Sequence, residues 1–195
     1  MTDNREYYDT HAQEYILGTV DADLSSLYHR FFTYLSPGCS ILDAGCGSGR
    51  DLKYFSSLGY RCTGFDASAE MVKAAGAYSG CPVYQGTFET FNAKQTYDAI
   101  WACASLLHVR RDDLSDVFRN LSEGLTDSGI LYCSFKEGSD FIRDGRSFTC
   151  FAAEAFPKFI AEVTSFSLLE QFISEDGRPG RKTEYWINAI LKKRQ

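Results

Sequence analysis

The sequence predicts an α/β protein built on a doubly wound, largely parallel sheet. Three observations point there. Short apolar runs of strand length alternate with amphipathic stretches of helical period. Three glycines crowd into "ILDAGCGSGRD" (41–51), directly behind the first apolar run. The two final strand-like runs are joined by "GRPGRK", a turn too short for a helical crossover, so the last strand is antiparallel.

Each element follows from local pattern. Residues 4–16 form a helix with Tyr8, Ala12 and Tyr15 on one face, and a second helix runs from about 23 to 35 and stops at "SPG". "SILDA" is the first strand, followed by the glycine turn and a helix from Ser48 to about Leu58. "YRCTGFD" is the next strand, and Ser68 caps the helix "SAEMVKAAGAY". "PVYQG" is the third strand. "YDAIWACA" is the fourth, and its nearly all-apolar composition puts it at the sheet centre, buried on both faces. The amphipathic helix "DLSDVFRNLSEGL" leads to a fifth strand, "GILYCSF", and "FSLLEQFISED" and "TEYWINAILKK" form the closing hairpin.

At 195 residues, the chain has room for one α/β domain with a sizeable core. Its 44% hydrophobic and 24% charged composition is that of a soluble globular protein, and no apolar stretch reaches the roughly 18 residues of a membrane span. The N-terminus has neither a secretory apolar core nor the acid-poor composition of a transit peptide. Seven scattered cysteines, none spaced C-x-x-C, read as reduced thiols in a cytoplasmic protein. Three separated histidines carry no metal signature, so no metal is expected. The net charge of −6 disfavours non-specific nucleic-acid binding. It is unevenly spread: residues 136–195 carry 10 Lys+Arg against 9 Asp+Glu, leaving 10 against 17 in residues 1–135.

The glycine turn sits where parallel sheets bind ligands, at the carboxyl end of the first strand. Gly45, Gly47 and Gly49 let a ligand approach the backbone, and the helix behind them offers free N–H groups. A dinucleotide turn would need glycine where Arg50 stands, and a Walker lysine is absent. The pattern D-x-G-x-G-x-G, Asp43 to Gly49, resembles motif I of class I S-adenosylmethionine (SAM) methyltransferases. Their fold is a Rossmann-like seven-strand sheet with an antiparallel final strand. The resemblance runs from about residue 39 to the end and implies a single domain, 1–195. Within it, 1–36 form a helical lid and 39–195 the SAM-binding core. "YYDTHAQEY" and "WACASLLHV" are most similar to small bacterial methyltransferases of the tellurite-resistance type.

The resemblance implies specific contacts to SAM and to its product S-adenosylhomocysteine (SAH). Gly45, Cys46 and Gly47 line the methionine part, and Asp43 orients its amino group. Asp66, 17 residues after Gly49, accepts the ribose hydroxyls. Ala67 and Met71 pack on the adenine and Phe88 closes the slot, with Thr87 where many members carry an Asp. Ala102 belongs to the same set, at the end of the fourth strand. The chemistry is independently sensible, because a cis-diol pairs with one carboxylate and a sulfonium favours electron-rich neighbours such as the faces of Tyr8 and Tyr15. Those tyrosines are alternatively core residues of the lid. Arg50 either reaches the SAM carboxylate or pairs with Asp51. His108, with Tyr8 the weak candidate for catalysis, is either a base or a buried histidine satisfied by a carbonyl. Cys103 reads as packing.

Two loops bring cations to the same sheet edge: Lys136, Arg143 and Arg146 after the fifth strand, and Arg178, Arg181 and Lys182 in the closing hairpin. They are either solvated, paired surface charges or a site for a small anionic acceptor, with Phe141, Phe148 and Phe151 available for stacking. The expectation is a SAM-dependent methyltransferase for a small, anionic acceptor, acting as monomer or dimer, with no membrane partner and with a nucleic-acid partner disfavoured but left open. The alternatives are an RNA nucleotide methyltransferase and a non-catalytic SAM-binding regulator. No N-P-P-Y or D-P-P-Y follows the fourth strand, which argues against amino methylation of a base or amide by that route.

Overall fold

The computed structural model describes residues 4–92, 96–178 and 184–195. Five strands, β1 (Ser40–Ala44), β2 (Arg61–Asp66), β3 (Val83–Gln85), β4 (Tyr97–Ala102) and β5 (Leu125–Lys136), run parallel. β8 (Phe166–Glu175) and β9 (Tyr185–Lys193) complete a seven-strand sheet in the order β3-β2-β1-β4-β5-β9-β8. β9 pairs antiparallel with both β5 and β8, so the closing hairpin inserts its second strand against the parallel sheet. The winding reverses between β1 and β4, and a crevice opens there at their carboxyl ends.

Period-two alternation builds a core on each face of the sheet. On one face Leu42, Ile100 and Leu131 meet Phe118 and Leu121 of α6 (Leu114–Glu123) and Phe156 of α7 (Phe156–Glu162). On the other, Ile41, Trp101 and Tyr132 meet Phe31 of α3 (Ser25–Phe32) and Leu52 and Phe55 of α4 (Arg50–Ser57). Ala75 of α5 (Ala69–Ser79) joins that second core. Trp101 and Tyr132 are fully buried and stack with ring centroids 3.8 Å apart, filling the sheet centre where β4 was expected.

Three features depart from local pattern. The helix expected over 4–16 is two helices, α1 (Asn4–Thr10) and α2 (Ala12–Thr19), because His11 leaves helical geometry at ψ 21°. Its ring contacts the Tyr7 carbonyl at 3.0 Å and stacks on the Tyr7 ring. The cationic loop after β5 holds a small antiparallel ribbon, β6 (Phe141–Arg143) and β7 (Arg146–Phe148), whose phenylalanines stack at 4.6 Å. Helix α7 was not foreseen, since its seven residues are too few for a periodic signal. As expected, Ser68 caps α5, its hydroxyl accepting from the Met71 N–H at 3.2 Å.

Gly49 shows why the turn is glycine-rich. It sits at φ 77° at the start of α4, and a Cβ there would lie 2.7 Å from Ala75 Cα and 2.9 Å from Ala75 O. Both are backbone atoms of α5 that cannot step aside. Gly49→Ala combines a left-handed penalty with overpacking and is expected to cost about 2–4 kcal/mol. Urea unfolding of the variant against the native chain measures it.

Candidate active site

Two cavities open at the crevice. The first, about 610 Å³, is bordered by Gly47, Asp66, Ala67, Met71, Thr87 and Phe88. The second, about 660 Å³, is bordered by Cys46, Arg50, Lys136, Arg143, Arg146 and Arg178. Tyr8, Tyr15, Gly45, Gly47, Ala104 and His108 border both. The two spaces therefore meet at a junction lined by two tyrosines, a histidine and the glycine turn.

In the first cavity the Asp66 carboxylate ends β2 and faces the turn. Its two oxygens accept from the N–H groups of Gly47 (2.9 Å) and Ser68 (3.0 Å). Burial raises its carboxyl above the usual range, and these N–H bonds oppose the rise. A carboxylate oxygen accepts more than one donor, so the group can still hold a diol. Gly45 is pressed against the loop after β4, and a Cβ on it would lie 2.5 Å from Ser105 Cβ. The Ser105 hydroxyl in turn donates to Ala44 O at 2.7 Å. Phe88 packs edge-on to Phe65 at 5.3 Å and walls the apolar end. Asp43 is buried under the turn, and its Oδ2 has no hydrogen-bond partner. Burial and the negative charge of Asp51 push that carboxyl well up.

Arg50 turns to Asp51. Its Nε donates to Asp51 Oδ1 at 2.6 Å, and a terminal nitrogen donates to Thr19 O of α2 at 2.9 Å. Asp51 also accepts from Tyr28 (2.5 Å) and Trp101 (2.8 Å). Burial works against its ionisation, but the Arg50 charge and these donors hold its carboxyl below the usual range. Ala102 is buried within the sheet and borders neither cavity; Ala104 and Ser105 take that place. Ala104 is left-handed at φ 52°, a strain that no sequence pattern signals. Cys103 borders the second cavity, and burial pushes its thiol up to about 12, so it packs rather than reacts.

At the junction Tyr8 Oη lies 2.8 Å from His108 Nε2. His108 Nδ1 lies 3.2 Å from Ser147 O and 3.1 Å from the Asn4 amide. The tautomer consistent with Ser147 as acceptor carries its proton on Nδ1 and accepts from Tyr8 on Nε2. Asn4 also pairs with the Ser147 N–H at 3.0 Å, so α1 is docked on β7 by its first described residue. Burial raises the Tyr8 hydroxyl pKa, and burial with the Arg146 charge pushes the His108 imidazole down to about 4. The ring is a neutral hydrogen-bond partner, not a free base.

Four of the predicted cations are described, and all four border the second cavity and are paired. Lys136 is buried, contacts Glu184 and lies 4.6 Å from the Trp186 ring centre. Arg143 donates to the same Glu184 at 3.2 Å. Arg178 binds Asp176 with its Nε at 2.8 Å. Arg146 pairs with Asp144 at 3.1 Å and lies 3.8 Å from the Tyr7 ring centre. Arg181 and Lys182 lie outside the described residues. Sequence reasoning missed Glu184 and Trp186, which are remote in sequence from the cations they meet, and Asn4 and Ser147. Among the described residues no cluster of metal-ligating side chains occurs, and no helix is long and apolar enough to cross a membrane.

Residues 41–129, just under half of the chain, match the family model described as a methyltransferase domain. No curated protein sequence matches the chain. Solved structures share its fold. The 1,6-didemethyltoxoflavin N1-methyltransferase of Burkholderia thailandensis, with 1,6-didemethyltoxoflavin and S-adenosylhomocysteine bound, superposes with TM-score 0.79 at 16% identity, over 98% of this chain and 88% of that one. The magnesium protoporphyrin IX methyltransferase of Synechocystis PCC 6803 with SAH gives 0.73 at 17% identity, over 98% of each chain. The [4+2]-cyclase SpnF gives 0.74 at 16% identity, over 99% of this chain and 96% of that one. The fold is the Rossmann-like fold of class I methyltransferases. Over residues 41–129 the chain is thus similar to a methyltransferase domain, and the folds it superposes on include methyltransferases with SAH bound.

The low His108 pKa has a consequence for stability. Unfolded, the imidazole protonates near its ordinary value of about 6.5; folded, it resists protonation down to about 4. As pH falls through that window the unfolded state binds the proton first, so stability is lost. His108→Gln is expected to remove this part of the acid-side slope, read as a smaller change in Tm between pH 7 and pH 4.5 than the native chain shows.

Proposed function

We propose that this chain is a SAM-dependent methyltransferase for a small, anionic acceptor, with cofactor in the first cavity and acceptor in the second. The observation that carries the reading is the junction: two cavities of small-molecule size meet at the glycine turn that matches the methyltransferase domain. The site fits the cofactor on its own geometry. Gly45, whose close packing on Ser105 leaves no room for a Cβ, borders both cavities with bare backbone. Asp43 is buried beside the turn and borders neither cavity, so its contact to the cofactor amino group rests on the resemblance of the turn. Asp66 faces the ribose position and Met71 and Phe88 supply flat apolar cover.

Bound SAM supplies a methyl group activated on a sulfonium. The chain's work is to hold and align the acceptor, keep water out and present electron-rich groups to the cation. Tyr8 and Tyr15 lie at the junction for that purpose, their rings edge-to-face at 5.0 Å. Cys46, Gly47, Ala67 and Thr87 complete the cofactor walls. α1 and α2 act as the lid, tied down through Asn4, Tyr8 and the Asp9 carboxylate that accepts from Ser68 at 2.5 Å. The cations bordering the second cavity support an anionic acceptor, and the substrates named for the two methyltransferases above support a small molecule. The tellurite-type likeness rests on "YYDTHAQEY" and "WACASLLHV". The seven unbridged cysteines support a reducing, cytoplasmic setting. Every site residue named comes from one chain, which suits a monomer or a dimer alike.

Calorimetric titration with SAM and SAH tests the reading. Asp66→Ala is expected to weaken SAM binding at least tenfold, about 1.4 kcal/mol; an unchanged affinity refutes the ribose assignment. Tight SAM binding without turnover of any acceptor would favour a regulator over an enzyme. Asp43→Asn separates binding from folding. It removes a buried carboxyl that resists ionisation, so the cofactor-free protein is expected to gain stability at neutral pH while SAM affinity falls. Paired thermal melts, with and without SAM, check both signs.

A further inference from the structure

The five described cations of the acceptor cavity differ in how firmly they are held, and Arg50 is fixed by the buried Asp51. Lys136 and Arg143 share Glu184, and Arg178 is bound by the buried Asp176, which also accepts from Trp186 at 3.2 Å. Arg146 stands apart. Its side chain is 12% exposed, but its carboxylate partner among the described residues, Asp144, is 62% exposed and well screened by solvent. Its Nε is buried and has no hydrogen-bond partner among the described residues. Arg146 is thus the cavity cation least firmly held by a carboxylate. It sits among flat rings, 3.8 Å from the Tyr7 ring centre, 5.4 Å from Phe148 and 5.8 Å from Tyr8.

The junction of the two cavities lacks a free base among its described residues. His108 has both ring nitrogens engaged. Asp51 and Asp176 are filled by donors, and Glu14, Asp21 and Glu175 stand exposed at the rim. An alcohol or amide would have to lose a proton to a group the junction does not offer. An acceptor that enters already ionised does not.

We propose that the acceptor is a flat, ring-bearing carboxylic acid, methylated as its carboxylate, with Arg146 as the specificity-determining residue that holds one carboxylate oxygen among Tyr7, Tyr8 and Phe148. This deepens the methyltransferase reading and rests on it for the reaction. In the step, a carboxylate lone pair forms the new O–CH3 bond as the C–S bond breaks, and that electron pair returns to sulfur. No proton moves. The acid becomes a neutral methyl ester and the sulfonium becomes SAH. The ester has lost the charge Arg146 recognises, which favours release.

The test uses benzoate as probe and benzyl alcohol as its uncharged counterpart, titrated calorimetrically into the SAH-saturated full chain. Benzoate is expected to bind at least tenfold more tightly than benzyl alcohol. Arg146→Met is expected to abolish that difference with SAH affinity unchanged, and Arg146→Lys to restore part of it. Benzoate that binds no better than benzyl alcohol, or equally well to Arg146→Met, overturns the proposal. SAH binding is measured first and separately: its failure refutes the cofactor reading, whereas benzoate selectivity lost with SAH still bound refutes only the carboxylate site.

Discussion

A single buried carboxylate organises this protein. Asp51 is 6% exposed, a place where an ionised group is costly unless its oxygens are filled. They are filled by Arg50, Tyr28 and Trp101, each from a different part of the chain. Tyr28 brings α3, Trp101 brings the central strand β4, and Arg50 reaches on to the Thr19 carbonyl at the end of α2. One charge therefore ties the N-terminal helices, the sheet and the helix behind the glycine turn together. It also keeps Arg50 beside the acceptor cavity and raises the cost of ionising Asp43 beneath the turn.

Above that hub the N-terminal helices are held by few, polar contacts. α1 and α2 bury no residue fully. Their attachment is the Tyr8–His108 contact, the Asn4–Ser147 pair and Asp9 with Ser68. Such contacts exchange readily with water, whereas the apolar packing of α3 and α4 does not. The division leaves a loosely tied cover over a rigid floor, as the proposed function requires. The left-handed Ala104 at the junction belongs to that floor, held by its N–H to Ser134 at 2.8 Å.

The electrostatics of the acceptor cavity are more balanced than its sequence suggests. Read along the chain, Lys136, Arg143, Arg146 and Arg178 look like an open cationic mouth. In the fold, Glu184, Asp144 and Asp176 neutralise much of it. Selectivity then depends less on total charge than on which donor lacks a partner. Tyr8 and His108 point the same way. Both are held neutral by burial, so neither is a free base at the junction.

Much of this was legible in the sequence because the signals were local. Strand order in a wound sheet follows from alternating periods, the antiparallel end from the turn at "GRPGRK", and the ligand edge from glycines behind an apolar run. Asp66, Met71, Phe88 and, among the late-loop cations, Lys136, Arg143, Arg146 and Arg178 were placed by position along the chain, and they border the two cavities. What the sequence could not decide was partnership. Arg50 with Asp51, Lys136 with Glu184 and His108 with Tyr8 and Ser147 are choices among many possible pairs. Only the packing of distant segments selects one. The same holds for the break at His11, the β6–β7 ribbon and Ala104 in place of Ala102 at the junction. Periodicity and turn chemistry act over a few residues and can be read from a string. Hydrogen-bond satisfaction, burial and the pKa values they set depend on which atoms the closed chain brings together, and so belong to the tertiary structure alone.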